Sequence, residues 1–286
     1  MEFVTLNNGV KMPILGYGTY QIEPEITQKC VEEAISVGYR SIDTAAAYFN
    51  ESGVGAAVNS AIKGGIKREE LFITTKLWIT HASEKDALKA FESSMQKLGL
   101  DYLDLYLIHQ PFGDVYGAWR AMSGLLKEGR IKAIGVSNFY PDRIMDFCLN
   151  NEITPSINQV ECHPFFAKFD EQENMRELGV AMQSWASFAE GKNGFFTNEI
   201  LAKIGAKYNK SIAQVTLRWL IQRGIVVIPK SINIDRMKEN FNVFDFKLDA
   251  KDMESIAALD TGDTLFMRHD SVDRVKFLSE IHRGKM

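Results

Sequence analysis

The sequence predicts an α/β chain folded as a closed (β/α)8 barrel, and three observations lead to that reading. Eight short apolar runs recur along the 286 residues and alternate with longer segments of helical spacing. The runs are near-continuously apolar rather than strictly alternating, which suits a parallel sheet packed within and covered without. An even count of eight, joined by right-handed crossovers, favours closure over an open doubly wound sheet.

Taken in order, Phe3–Met12 holds Asn7-Asn8-Gly9 between apolar residues, the signature of a short β-hairpin ahead of the barrel. Ile14–Gly18 is the first strand, and Glu25–Val37 reads as a helix stopped at Gly38. Tyr39–Asp43 and Leu71–Lys76 are the next strands. Ser83 opens a helix running to Gly99; Leu103–His109 is then a strand and Tyr116–Glu128 a helix stopped at Gly129. Ile131–Ser137 with Pro141–Asn150, and Ser156–Val160 with Asp170–Leu178, make two more strand–helix units. Ala181–Trp185 and Ile225–Lys230 complete the eight. No low-complexity tract or Pro/Gly/Ser-rich linker divides the chain, so residues 1–286 are expected to form one domain of a size barrels reach.

Composition narrows the class of function. Hydrophobic residues make up 45% and charged residues 24%, and a net charge of −4 gives no electrostatic footprint for nucleic acid or an anionic membrane. Cys30, Cys148 and Cys162 are far apart and odd in number, so no disulfide framework or CxxC pair is read from them. Met1-Glu2-Phe3-Val4-Thr5 lacks the basic and apolar regions of a signal peptide, and no apolar run approaches the length of a membrane span. The expectation is a cytoplasmic monomer whose partner is a small molecule, with neither nucleic acid nor membrane involved.

The polar residues carry the functional signal. Asp43, Lys76, His109, Ser137 with Asn138, Gln159, Trp185 and Lys230 each stand at or just past the C-terminal end of a strand. In a (β/α)8 barrel those ends form one rim, and active sites are built there. Singly, each has a structural reading: Asp43 as a helix cap, Lys76 as a snorkelling stem, His109 as a satisfied core histidine. Seven strands ending this way at one face point to chemistry instead. A tyrosine near its ordinary pKa of about 10 is a feeble acid at neutral pH. An ammonium such as that of Lys76 beside the Tyr48 oxygen stabilises the tyrosinate and lowers that value. A buried lysine needs a partner, which Asp43 supplies. Such a phenol protonates a carbonyl oxygen while hydride reaches the carbon, and His109 orients the same oxygen.

At these residues the chain resembles a known family. DTAAAYFNE (43–51), ITTKLW (73–78), DLYLIHQP (104–111), GVSNF (135–139), NQVECHP (158–164) and IPKSINIDRMKEN (228–240) are similar to the motifs of aldo-keto reductases. They follow in that family's order over nearly the whole chain, and the likeness is to bacterial NADPH-dependent reductases of the diketogluconate reductase kind. The resemblance implies an oxidoreductase that passes hydride from NADPH to small aldehydes or ketones. Tyr48 is then the general acid, Lys76 and Asp43 tune it, and His109 positions the carbonyl. It implies further that Ser137, Asn138 and Gln159 hold the nicotinamide carboxamide and that Trp185 stacks on the ring. Lys230, Ser231 and Arg236 would hold the 2′-phosphate, Glu239 and Asn240 would face the adenine, and Thr19 and Asp43 complete the cofactor set. Two cations and a hydroxyl complement a phosphate dianion. No metal is implied. A third glycine is missing after Gly16-Tyr17-Gly18, so no Rossmann fingerprint is present. Tyr20, Trp78 and Phe112 would line the substrate pocket beside His109. The tail from Asp263 to Met286 would close it as a C-terminal loop, with Phe266, Arg268 and His269; the tail's composition suggests tolerance for polar or anionic substrates through Arg268.

Two departures stand out. Gln110 replaces the tryptophan common after the histidine, making the wall more polar. Ala186-Ser187-Phe188 replaces Ser-Pro-Leu after the stacking aromatic, leaving Ser187 or backbone amides near Gly191–Gly194 to meet the pyrophosphate. Two rival readings share the barrel. A metal-dependent hydrolase lacks HxH or HExxH spacing among histidines 81, 109, 163, 269 and 282. A cofactor-binding regulatory subunit would keep the fold without the turnover.

Overall fold

The eight apolar runs become eight parallel strands, because each carries too little polarity to survive anywhere but between a packed interior and a layer of helices. The computed structural model describes residues 2–284; Met1 of the N-terminal segment and Lys285 and Met286 of the tail lie outside them. The hairpin comes first, β1 (Phe3–Thr5) pairing antiparallel with β2 (Lys11–Pro13). There follow β3 (Tyr17–Gly18), α1 (Pro24–Val37), β4 (Ser41–Asp43), α2 (Glu51–Lys63), β5 (Phe72–Leu77) and α3 (Glu84–Leu98). Next come β6 (Leu103–Ile108), α4 (Val115–Lys127), β7 (Ile131–Ser137), α5 (Pro141–Leu149), β8 (Ile157–Glu161) and α6 (Phe169–Glu177). The chain continues through β9 (Ala181–Trp185), α7 (Glu199–Tyr208), α8 (Ile212–Gln222), β10 (Val226–Val227) and α9 (Ile234–Phe241). Two last helices, α10 (Ala250–Ala257) and α11 (Val272–His282), finish the described chain.

Strands β3 to β10 lie side by side in sequence order, all parallel. A parallel bridge from Leu15 to Val227 joins the first to the last, with the Gly16 N–H donating to Val227 O at 2.8 Å and the Val227 N–H to Ile14 O at 2.9 Å. The sheet therefore curls into a barrel, as expected. The seam is thinner than the apolar runs Ile14–Gly18 and Ile225–Lys230 suggest. Pro229 has no N–H to give the ladder. At Gly18 the two backbones come so close that a Cβ would stand 2.6 Å from the Ile228 carbonyl oxygen, so only glycine fits.

The predicted helices appear within a residue or two of their expected ends, for the reasons expected. Ser83 Oγ accepts the Asp86 N–H at 3.2 Å to cap α3, which stops where Gly99 turns left-handed (φ 62°). Helix α2 and those beyond residue 198 were not anticipated. Helix α2 opens on the buried polar pair Asn50 and Glu51, which breaks the apolar spacing. Helix α8 did carry a signal: Ser211 and Gln214 form a capping box ahead of an apolar run.

The hairpin has a packing role at the opposite end of the barrel from the rim. Leu6 and Met12 pack with Phe72, Leu105, Leu107, Ala133, Ile157 and Val226, which fill the barrel interior. Asn7 and Asn8 donate to the backbone carbonyls of Pro155 and Lys132 at 3.0 and 2.9 Å, tying the turn to the strand entries. That end is stoppered by apolar side chains, and the polar residues singled out in the sequence gather at the other end, the rim. Among the described residues no helix is long and apolar enough to cross a membrane.

Candidate active site

The segment between β4 and α2 explains how Tyr48 is aimed. After Asp43 the chain makes a single 3-10 turn over Ala46–Tyr48, and Phe49 takes a left-handed φ of 57°. A bulky residue there is strained and needs over-determining neighbours. Asn50 supplies them: its Nδ2 donates to Thr19 O at 2.9 Å and Ile22 O at 3.2 Å, and its Oδ1 accepts from Thr44 Oγ1 at 2.8 Å. Glu51, also buried, accepts from Thr75 Oγ1 at 2.7 Å and meets Lys97 at 3.5 Å. Pinned on its far side, the turn presents Tyr48 to β5.

There Lys76 is fully buried, and each ammonium proton has an acceptor. The acceptors are Asp43 Oδ1, Thr44 O at 2.9 Å and the Tyr48 hydroxyl oxygen at 3.2 Å. The second Asp43 oxygen accepts from Gln159 Nε2 at 2.8 Å, and the same nitrogen donates to Gln183 Oε1 at 3.0 Å. One chain of hydrogen bonds thus crosses the barrel from β9 to Tyr48. Burial works against the Lys76 charge, but Asp43 and Tyr48 outweigh it and hold its pKa above the ordinary value. For Tyr48 burial is the largest influence and raises its pKa; Lys76 offsets this only in part. The expectation that Lys76 brings Tyr48 below its ordinary value is therefore corrected: desolvation wins, and the phenol keeps its proton. Burial first, and Lys76 second, hold His109 well below the usual histidine range, so its ring is neutral at physiological pH. His109 Nδ1 is buried without a partner.

These groups line or underlie one cleft of about 720 Å³, within the range of small-molecule sites. Trp78 meets the His109 ring edge-on at 5.1 Å, and Tyr20, half exposed, packs on Tyr48 at 5.0 Å. Gln110 lines the wall beside His109, its Oε1 buried without a partner, so the departure from tryptophan does put polarity there. On the other side Ser137 donates to Gln159 O at 2.8 Å, and Asn138 donates to His109 O at 3.1 Å while accepting from Trp185 Nε1 at 2.9 Å. The edge of Trp185 is thereby fixed, with Phe266 of the tail against it at 5.2 Å. Ala186 is left-handed (φ 51°) and lines the cleft, and the Ser187 hydroxyl is hydrogen-bonded to that of Ser184 at 2.8 Å. Lys230 lines the far end and is exposed.

Several expected members stand elsewhere. Thr19 is fully buried behind the cleft, bonded to Asp43 O and Asn50, so it braces the turn. Phe112 does not line the cleft; the wall after His109 ends at Gln110. Ser231, Arg236, Glu239 and Asn240 also lie off the cleft walls, around the start and inner face of α9. The Ser231 hydroxyl is spent on Asn233, and Glu239 accepts from Ser211. Arg268 turns outward to Asp263 and Asp270 at 3.3 and 2.8 Å, so it is not the cationic group of the pocket. The tail is more than a loop: residues 262–271 cross the cleft and α11 follows, with Phe266, Met267, His269 and Arg274 facing in. Gln183 was missed, although a glutamine inside the short strand run Ala181–Trp185 (AMQSW) signals it. Arg274 was missed as well, and no spacing rule distinguishes it from Arg268. Among the described residues no group of three or more His, Cys, Asp or Glu stands close enough to hold a metal ion.

The Aldo/keto reductase family model matches residues 14–261. The chain belongs to the aldo/keto reductase family. It is 49% identical over 259 residues to an uncharacterized oxidoreductase, YtbE, of Bacillus subtilis, covering 89% of this chain and 91% of that one. It is 46% identical over 261 residues to the glyoxal reductase of the same organism, covering 90% and 92%. A crystal structure of the Bombyx mori aldo-keto reductase AKR2E4 in complex with NADP is similar throughout, with a TM-score of 0.89 at 34% identity and 96% of each chain covered.

Proposed function

We propose that this reductase uses NADPH to reduce small aldehydes and ketones, with Tyr48 as the general acid. The observation that carries the reading is the fully satisfied Lys76 ammonium, bonded to Asp43 on one side and the Tyr48 hydroxyl on the other at the floor of the cleft. A phenol held protonated beside a fixed positive charge has a proton to give, and the charge stabilises the tyrosinate that remains. A neutral His109 supports the same step, since a neutral ring donates a hydrogen bond to the carbonyl oxygen without competing for its proton. With Nδ1 buried and partnerless, that donor is Nε2–H.

The cofactor fits this chain's residues. Trp185, with its edge anchored by Asn138, offers a face for the nicotinamide, and Ser137, Asn138 and Gln159 stand beside it for the carboxamide. Lys230 and Arg236 are exposed and have no carboxylate partner among the described residues, whereas nearby Lys238 is paired with Asp235. They remain available to a 2′-phosphate. When bound, NADPH supplies the hydride; the protein supplies orientation, the proton and a water-poor floor. The dicarbonyl in the name of the Bacillus subtilis relative makes glyoxal the first substrate to try.

The test is consumption of NADPH by the purified protein with glyoxal and with simple aldehydes. Absence of turnover with all of them would leave the regulatory-subunit reading in possession. Arg236→Ala is expected to weaken NADPH binding on the order of tenfold, the worth of one charge-assisted contact, and to leave NADH nearly unchanged. Equal losses for the two cofactors would show that Arg236 does not read the phosphate.

A further inference from the structure

The roof of the cleft holds two buried side-chain nitrogens with no hydrogen-bond partner among the described residues. The segment crossing the mouth is fastened at two places. Glu161, at the end of β8, accepts from the Thr264 hydroxyl and from the Leu265 N–H at 3.1 Å. Lys192 donates to Leu265 O at 3.1 Å and sits 3.7 Å over the Phe266 ring. The residues beyond these anchors are therefore held over the cleft rather than free in solvent.

Two side chains there are short of partners. His269 is only 7% exposed, lines the cleft, and has its Nε2 buried without a hydrogen bond. Arg274 lines the same wall; its Nε is buried and unpartnered, and its Nη1 reaches only the Met267 sulfur at 3.3 Å. A thioether is a weak acceptor for a guanidinium. No carboxylate pairs with Arg274 among the described residues, in contrast to Arg268, which holds two. Arg274 is also close enough to His269 to help burial push that histidine down to about 4, and His269 in turn contributes to the depression of His109. Arg274 thus neighbours His269, and His269 in turn neighbours His109.

We propose that His269 and Arg274 form an anion subsite and that the carbonyl compounds this enzyme prefers carry a carboxylate remote from the reacting carbon. A guanidinium short of acceptors is the natural partner of a carboxylate, which takes two of its N–H groups at once. In its Nε2–H tautomer the neutral His269 adds a third donor. The proposal rests on the carbonyl-reductase reading of the same cleft.

Its test is a matched pair of substrates, succinic semialdehyde and its methyl ester, compared by kcat/KM with NADPH. The wild type is expected to favour the acid by about tenfold or more, chiefly through KM, the worth of one charge-assisted contact. Arg274→Met should bring the acid-to-ester ratio to within about twofold of unity on that same scale, and Arg274→Lys, which keeps the charge without the fork, should retain part of the preference. A wild-type ratio near one, or a ratio that survives Arg274→Met, overturns the subsite while leaving the reductase reading in place. A wild type that consumes no NADPH with acid, ester or glyoxal overturns both.

Discussion

Tyr48→Phe is expected to lower carbonyl reduction by roughly 10²–10⁴, the usual worth of a positioned general acid. The substitution removes one oxygen and nothing else. That oxygen accepts a hydrogen bond from Lys76, and the ring keeps its contacts with Tyr20 and His109. Lys76 still has Asp43 and Thr44 O, so the floor of the cleft stays charged and folded. NADPH affinity, followed by quenching of tryptophan fluorescence, should stay within a few-fold of wild type. Near-normal turnover across several carbonyls would mean that the proton comes from another group. His109 would then be the first candidate, despite a depressed pKa that leaves it little proton to lend.

Lys76→Met should match that loss of rate and add a loss of stability of about 3–5 kcal/mol, the cost of leaving a buried charge without its counter-ion. Asp43 is almost wholly buried, and without Lys76 its remaining support is the Gln159 amide at 2.8 Å. The double variant Asp43→Asn, Lys76→Met removes the orphaned charge along with its cause. Chemical denaturation should show it regaining part of the lost stability, while turnover stays low because the phenol has lost its ammonium. If the double variant recovers activity with stability, Lys76 acts only as a scaffold and its bond to Tyr48 is incidental. If Lys76→Met is as stable as wild type, the pair contributes nothing to folding, and the buried charge is tolerated through Gln159.

Gln159 and Gln183 show why part of the site was legible in the sequence and part was not. The sequence by itself determined the barrel, since eight apolar runs with helices between them can bury their surface in few other ways. It also determined which residues reach the rim, because a strand's period of two and its C-terminal end decide which side chains point into the cleft. Asp43, Lys76, His109, Ser137, Gln159 and Trp185 follow from that rule. Tertiary structure alone decided the rest. Whether burial or Lys76 governs the Tyr48 proton depends on how much protein surrounds one oxygen, a quantity no spacing encodes. Thr19 looks like a rim residue until Asn50, far along the chain, turns inward and claims it. In the tail, Arg268 and Arg274 are equivalent as letters. Asp263 and Asp270 neutralise the first at the surface, and the turn into α11 carries the second, with no carboxylate partner among the described residues, to the cleft wall. Local pattern sets which way a strand residue points, but a charge's partner is chosen by chain segments that meet only in the fold.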